Sequence, residues 1–221
     1  MGPYRHTLGV EEWGGIELLI ERQIFSPQKL VEKLNAELCN TLGNLVNRIV
    51  GKSLNPDQLF PVPSVDAFRR FENEYFESLV ETVKSLPTRV DEEFDSVRFY
   101  LGTDAIMAAA RGANQFLQDA RPWKMDAKLE ADRIRVISYV VMETIRVCGV
   151  LLQPIVPGYA GKMLDIIGVK SDERSWARLL DDRRPFHQMD LLGADGENIS
   201  HSSSDLPINR AHVPLYPRLK L

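Results

Sequence analysis

The sequence predicts an all-α protein, an antiparallel bundle of about five helices with an irregular C-terminal tail. Apolar residues recur at spacings of three and four over most of the chain, which is the period of a helix face buried in a core. Prolines and glycines separate these periodic stretches, and we find no internal repeat. Long antiparallel helices around one core are the usual solution for such a pattern.

The first helix is predicted to begin at the Ser26-Pro27 pair. The serine oxygen can cap the free N–H groups of a first turn, and proline suits the first helical position. The stripe then ends near Gly51, and its members are Leu30, Leu34, Leu38, Leu42, Leu45 and Ile49. We expect this stripe to face the core.

Four more helices are predicted at about 66–86, 98–120, 126–152 and 158–167, with a short helical turn near 175–181. Pro87 is expected to interrupt the second helix, whose extension through Phe94 leads into the third. Pro122 ends the third helix, and Gly168 closes the fifth.

The chain is expected to have three parts. Residues 1–25 form an irregular N-terminal lead-in, residues 26–182 form the bundle, and residues 183–221 form an irregular tail that packs back on it. The period disappears after about residue 183, and residues 183–212 receive no functional role.

Composition excludes several classes of protein. The 221 residues are 44% hydrophobic and 26% charged, which is ordinary for a globular protein, and no apolar run approaches a membrane span. The two cysteines and four histidines lack the spacing of a disulfide framework or a metal site. No nucleophile or catalytic base stands out, so the chain alone is predicted to be a binding module without a catalytic residue, metal or cofactor.

Net charge is −4, which by itself argues against nucleic acid. However, residues 66–98 hold nine acidic and five basic residues, so the negative excess is concentrated there. Residues 28–52 and 111–128 each hold four basic and two acidic residues. This distribution permits a locally basic face.

A polar strip is predicted on the first helix, because Asn40, Asn44 and Arg48 follow one another at intervals of four. Amides and a guanidinium make directional hydrogen bonds and suit the edges of bases. The alternative, which the spacing alone favours, is a solvated polar face with one packing glycine. Gly43 costs about 1 kcal/mol relative to alanine inside a helix. It therefore suggests a close approach by a neighbouring helix or a ligand.

An aromatic turn follows the third helix. Trp123 comes directly after Pro122 and is flanked by Arg121 and Lys124. An indole on a rigid turn between two cations is a plausible stacking platform for an unpaired base. The alternative is a tryptophan that closes the end of the bundle.

Taken together, the two segments resemble the anticodon-binding domain of methionyl-tRNA synthetases. Residues 35–48 read Asn-Ala-Glu-Leu-Cys-Asn-Thr-Leu-Gly-Asn-Leu-Val-Asn-Arg, and residues 113–124 read Ala-Asn-Gln-Phe, five further residues, then Pro-Trp-Lys. The likeness continues in residues 146–157 and 214–219, and residues 168–175 are similar to the animal mitochondrial branch. It covers the chain from about Gly9 onward.

The resemblance implies roles for four residues. In the family, the tryptophan stacks on anticodon bases, which assigns that role to Trp123. An asparagine and an arginine four residues apart recognise the first anticodon base, a cytosine, and these fall on Asn44 and Arg48. Pro122 would fix the turn that presents the indole.

Five further residues are weaker candidates. Asn40 and Asn114 occupy matching positions and are expected to hold the two segments together. Three cations are expected to meet phosphate, adding affinity with little sequence preference: Arg121, Lys124 and Lys52. The indole and the polar strip must then converge on one solvent-facing cleft.

The implied function is recognition of the CAU anticodon of methionine tRNA, within an enzyme that charges tRNA with methionine using ATP and magnesium. The family's His-x-Gly-His and Lys-Met-Ser-Lys-Ser motifs are missing, so this chain alone is expected to be inactive. The expected partners are methionine tRNA and an N-terminal catalytic domain of the same polypeptide, in a monomer with no membrane contact. The expected location is the mitochondrial matrix, with the cytoplasm as the alternative.

Two other hypotheses remain at this point. One is a helical protein-interaction module without RNA contact, which the net acidity favours. The other is the helical domain of another synthetase of the same structural class.

Overall fold

The computed structural model describes residues 26–71, 74–180, 186, 206–208, 215 and 218–219. The predicted lead-in and most of the predicted tail lie outside these residues. Helices dominate the described part, which agrees with the predicted all-α class. The α-helices are α1 (Pro27–Leu34), α2 (Asn44–Ile49), α3 (Val65–Arg70), α4 (Glu74–Asp95), α5 (Phe99–Ala120), α6 (Ala131–Leu152), α7 (Pro157–Ile166) and α8 (Trp176–Leu180). Two residue pairs form strands, β1 (Leu59–Phe60) and β2 (Leu206–Pro207).

One continuous helix opens the described chain, and its middle part has π-helical hydrogen bonding. α1, the π segment Asn35–Gly43 and α2 follow one another without a break, and we call them together the opening helix. The predicted start is confirmed, because Ser26 Oγ accepts from the Lys29 N–H at 3.3 Å and Pro27 is the first helical residue. The sequence predicted an ordinary α-helix throughout, which is wrong for the π segment. π-helical turns are rare and frequently lie at functional sites.

The long helices form the body of the bundle. α4, α5 and α6 pack side by side, and α6 is buried along most of its length. The opening helix packs on α5 and α6, and its predicted stripe is largely buried, with Leu42, Leu45 and Ile49 at 0% exposure. Leu30 is the exception at 42% exposure, because α1 projects beyond the core.

Pro87 does not interrupt its helix. α4 continues through it to Asp95, so the predicted break is wrong. Proline removes one backbone hydrogen bond and typically costs about 3 kcal/mol inside a helix. Burial of Val83 and Val90, both at 0% exposure on either side of it, offsets that cost. The predicted second helix is instead divided earlier, where α3 ends at Arg70.

The helix before the double proline starts later than predicted. α6 begins at Ala131, not near residue 126, because the Asp126 carboxylate caps a preceding turn. Its Oδ1 accepts the N–H groups of Lys128 at 2.8 Å and Leu129 at 3.0 Å. Aspartate favours such turns over a helix interior.

Described residues of the C-terminal region contact the bundle at several points. β2 pairs antiparallel with β1, an element that the sequence did not predict. Phe186 and Leu215 are buried in the core at 1% and 5% exposure. Gly168, with φ of 77°, lies directly under the Pro207 carbonyl, where a Cβ would overlap it.

Candidate functional site

An open polar groove lies between the opening helix and α5. Its volume is about 350 Å³. The opening helix contributes Asn40, Thr41 and Arg48, and α5 contributes Arg111, Asn114, Gln115 and Gln118. The groove therefore brings together three of the predicted site residues, namely Asn40, Arg48 and Asn114.

Arg48 connects the groove to the predicted aromatic turn. Its guanidinium carbon lies 5.0 Å from the centroid of the Trp123 ring, which is a cation–π distance. Its Nη2 also donates to Gln118 Oε1 at 3.0 Å. Because five N–H groups radiate from a guanidinium, one bond to Gln118 leaves further donors for another group.

The indole of Trp123 is presented by a short turn at the end of α5. Arg121 ends the helix in the left-handed conformation, with φ of 48° and ψ of 52°. Proline then opens a 3-10 turn over Pro122–Lys124. Pro122 is buried, whereas the Trp123 side chain keeps 39% exposure. The tryptophan is therefore a partly exposed surface beside the groove and does not simply fill the end of the core.

Asn114 ties the two helices together. Its Nδ2 donates to the Thr41 carbonyl of the π segment at 3.1 Å and to the Ala110 carbonyl of its own helix at 3.1 Å. The amide is thus committed to backbone groups. The sequence analysis expected Asn114 to hold the two segments together, and this contact joins them.

The other candidate residues are on the surface. Asn40 and Asn44 are exposed, and Asn44 is not among the residues that line the groove. The three cations expected to meet phosphate, Arg121, Lys124 and Lys52, are also exposed. None of the three forms an ion pair with an acidic residue in the described part of the chain.

Sequence reasoning named Asn114 but missed the other groove residues of α5, Arg111, Gln115 and Gln118. Gln118 holds Arg48, and Arg111 Nη1 lies 3.1 and 3.0 Å from the two carboxylate oxygens of Glu37. The groove residues of α5 are three or four residues apart, which places them on one face of the helix: Arg111, Asn114, Gln115 and Gln118. This spacing could have predicted a polar face on α5 opposite the polar strip of the opening helix.

Gly43 has a different explanation from the predicted one. A Cβ at this position would lie 2.9 Å from the Leu38 carbonyl oxygen, which belongs to the same helix. The close neighbour is thus the π segment itself, not another helix or a ligand. The wider turn brings this carbonyl toward the glycine, and a side chain would push it away.

The described residues hold no group of three or more histidine, cysteine, aspartate or glutamate side chains that could bind a metal ion. Within the same residues, no helix is long and apolar enough to cross a membrane.

Solved structures of a bacterial enzyme share this fold. The apo form of Mycobacterium tuberculosis methionyl-tRNA synthetase aligns with a TM-score of 0.68 and 25% identity, over 89% of this chain and 35% of that chain. The same enzyme in complex with methionyl-adenylate aligns with a TM-score of 0.67 and 26% identity, over 88% of this chain and 34% of that chain. The fold is therefore of the class found as a helical part of these synthetases.

A family model described as the anticodon binding domain of methionyl tRNA ligase matches residues 62–191, more than half of the chain. The chain belongs to this family. The matched span contains Asn114, Pro122 and Trp123, whereas the opening helix with Arg48 precedes it.

Curated relatives agree with the family. The mitochondrial methionine–tRNA ligase of Takifugu rubripes is 36% identical over 163 residues, which are 70% of this chain and 27% of that protein. The human mitochondrial enzyme is 33% identical over 165 residues, covering 69% of this chain and 28% of that protein. The matched part of this chain thus spans little more than a quarter of the length of these relatives.

Proposed function

We propose that this chain recognises the CAU anticodon of methionine tRNA, as the anticodon-reading part of a methionyl-tRNA synthetase. One observation carries this function: Arg48 lies 5.0 Å from the Trp123 ring centroid and is also held by Gln118 beside an open polar groove. Recognition of unpaired bases requires an aromatic or guanidinium plane for stacking, together with directional groups for the base edge. Both are present here within one contact.

Trp123 and Arg48 have different roles in recognition, stacking for the indole and hydrogen bonding for the guanidinium. A base splayed out of the loop stacks on the exposed part of the indole, which typically contributes about 1–3 kcal/mol per base. The N–H groups of Arg48 that Gln118 leaves free donate to the carbonyl oxygen and to ring nitrogen N3 of the first anticodon base, cytosine. Uracil is disfavoured because its N3 carries a hydrogen and cannot accept. Asn44 is exposed one helical turn before Arg48 and adds an amide for the same base edge.

The exposed cations supply affinity without sequence preference. Arg121, Lys124 and Lys52 contact phosphate, and their contribution weakens as salt rises. The acidic net charge of −4 is compatible with this arrangement, because these cations have no acidic partner among the described residues.

The chain serves a ligase that charges methionine tRNA using ATP and magnesium, and that acts in the mitochondrial matrix as a monomer. Relatives named mitochondrial methionine–tRNA ligase support this function, as does a solved relative with bound methionyl-adenylate, since that compound joins methionine to AMP. Residues 26–182 supply the anticodon-binding bundle of that enzyme. Bacterial relatives are also similar, so the cytoplasm is the alternative location.

A filter-binding titration tests anticodon recognition. We expect the chain to bind a stem-loop carrying CAU more tightly than one carrying UAU. Trp123→Ala should weaken CAU binding by about 1–3 kcal/mol, because a stacking surface is lost. Circular dichroism should show unchanged helix content.

Tyr100→Ala is a matched control. Its aromatic ring is 67% exposed, but it lies at the opposite end of α5, a helix of 22 residues and hence about 33 Å long. We expect normal CAU binding from this variant. Equal binding of both RNAs by the wild type, or none, would refute anticodon recognition and favour a protein-interaction module.

A further inference from the structure

Two side chains from other helices donate to backbone carbonyls of the π segment of the opening helix. The Tyr159 hydroxyl of α7 donates to the Leu38 carbonyl at 2.8 Å. The Asn114 amide of α5 donates to the Thr41 carbonyl at 3.1 Å. Leu38 is buried in the core and Thr41 lines the groove, so the segment is fixed on both sides.

The π turn also has internal features that an α-helix lacks. The Asn44 N–H reaches the Cys39 carbonyl, and the Thr41 hydroxyl donates to the Ala36 carbonyl at 2.9 Å. Each of these contacts spans five residues, one more than the α-helical spacing. Because π hydrogen bonding is rare and less favourable than α, such a segment persists where surrounding contacts stabilise it.

Tyr159 is suited to this role. It is buried at 7% exposure, and its hydroxyl points from α7 at a carbonyl 121 positions earlier in the chain. Burial, together with the neighbouring Cys39 and Cys148, raises the pKa of Tyr159. The hydroxyl therefore remains protonated and able to donate at any physiological pH.

The register of the π segment sets the direction in which Arg48 points. α2 follows Gly43 directly and carries Arg48 in its last turn. An α-helix turns about 100° per residue, so a change from π to α spacing upstream rotates α2 by an angle on the order of 100°. Arg48 would then leave both Gln118 and the indole of Trp123.

We infer that Tyr159 is a positioning residue for anticodon recognition, which acts on Arg48 by fixing the π segment through the Leu38 carbonyl. This role rests on the proposed function, because Arg48 must be the residue that recognises the first base. Tyr159 itself is buried and touches no RNA. It is therefore expected to affect discrimination between first bases more than general affinity.

The test compares Tyr159→Phe with Thr144→Val in the full 221-residue chain. Both variants remove one buried hydroxyl that donates to a backbone carbonyl at 2.8 Å, but the Thr144 hydroxyl donates to the Val140 carbonyl within α6 and not to the opening helix. Hydrogen exchange measured by mass spectrometry reports on residues 35–44. Filter binding to CAU and UAU stem-loops gives the discrimination ratio.

For Tyr159→Phe we expect exchange in residues 35–44 to rise roughly fivefold, and the ratio of CAU to UAU affinity to fall by a similar factor, which corresponds to one buried hydrogen bond. Thr144→Val should change neither quantity. If Tyr159→Phe does not fold, Gly43→Ala tests the step from the Leu38 carbonyl to Arg48, because its Cβ would push on that carbonyl from inside the helix. An unchanged discrimination ratio in Gly43→Ala would then overturn the inference.

Binding by the wild type and by Tyr159→Phe separates the positioning role of Tyr159 from anticodon recognition itself. A wild-type chain without preference for CAU refutes the recognition role of Arg48 and the positioning role with it. A wild-type preference that Tyr159→Phe retains refutes the positioning role alone. Unchanged exchange in residues 35–44 also overturns it, since the hydroxyl then does not hold the π segment.

Discussion

At the scale of single residues, Arg48 is the side chain on which the candidate site depends. It lies over one face of Trp123 and hydrogen-bonds to Gln118, so its planar group is oriented before any RNA arrives. A group that is already oriented loses less conformational entropy on binding. A lysine at this position would keep the positive charge, but it lacks the planar guanidinium and its fixed set of N–H donors.

Arg48→Lys should therefore reduce selectivity more than affinity. We expect the free-energy difference between CAU and UAU stem-loops to fall by about 1–3 kcal/mol, the usual contribution of a bidentate side-chain contact to base discrimination. The measurement is a pair of filter-binding titrations at one salt concentration. Lys124→Ala is the control, since loss of an exposed phosphate contact should weaken both RNAs equally. Unchanged discrimination in Arg48→Lys would show that charge alone suffices.

At the scale of secondary-structure elements, the opening helix differs from its sequence pattern. Its leucine stripe predicts an α-helix, and the stripe is buried as expected, but the hydrogen bonds over Asn35–Gly43 are π-helical. Gly43 belongs to this irregularity, because the Leu38 carbonyl occupies the space beside its Cα. An ordinary helix would gain stability from alanine at this position.

Gly43→Ala should thus destabilise the protein. We expect the free energy of unfolding in urea to fall by about 1–3 kcal/mol, the typical cost of overpacking. The control is Gly112→Ala in α5, where a Cβ would meet only Leu79 Cδ1 at 3.4 Å. There the propensity gain of up to about 1 kcal/mol should appear as increased stability. Stabilisation by both substitutions would mean that the segment adopts the α form in solution.

The turn before α6 should respond to acid. Hydrogen bonds from the backbone N–H groups of Leu129 and Lys128 lower the pKa of Asp126 below its ordinary value of 3.8. The pKa of Asp126 is lower in the folded state than in the unfolded chain. The ionised carboxylate therefore stabilises the fold fully at pH values above the ordinary pKa, and this stabilisation is lost as pH falls through the folded pKa. NMR titration of the Leu129 and Lys128 amide protons should show a midpoint below 3.8. A midpoint at or above that value would exclude this cap.

At the scale of the whole molecule, residues distant in sequence complete the core. Phe186 is buried at 1% exposure and packs on Phe68 and Tyr139, with ring centroids 6.1 and 5.8 Å away. The Asn35 amide makes two hydrogen bonds with the backbone of Leu219, at 3.0 and 2.9 Å. The helical bundle and the described C-terminal residues thus share one hydrophobic core.

Phe186→Ala should cost about 3–5 kcal/mol of unfolding free energy, because removal of a buried aromatic ring leaves a cavity. Urea denaturation with circular dichroism detection measures this loss. Tyr100→Ala, which truncates a ring that is 67% exposed, should stay within about 0.5 kcal/mol of the wild type. A loss below about 1 kcal/mol for Phe186→Ala would mean that the ring is not part of the core in solution.

The sequence by itself determined the helical class, the start at Ser26, the closing Gly168 and the two segments that carry the candidate site. These features follow from local rules of periodicity, capping and backbone conformation, and from the resemblance of residues 35–48 and 113–124 to a family. Tertiary structure alone decided that α4 continues through Pro87, since packing on both sides outweighs one missing hydrogen bond. It also decided the π segment and the partners of Arg48. Those depend on Tyr159, Asn114 and Gln118, which lie far along the chain and meet the opening helix only in the folded bundle.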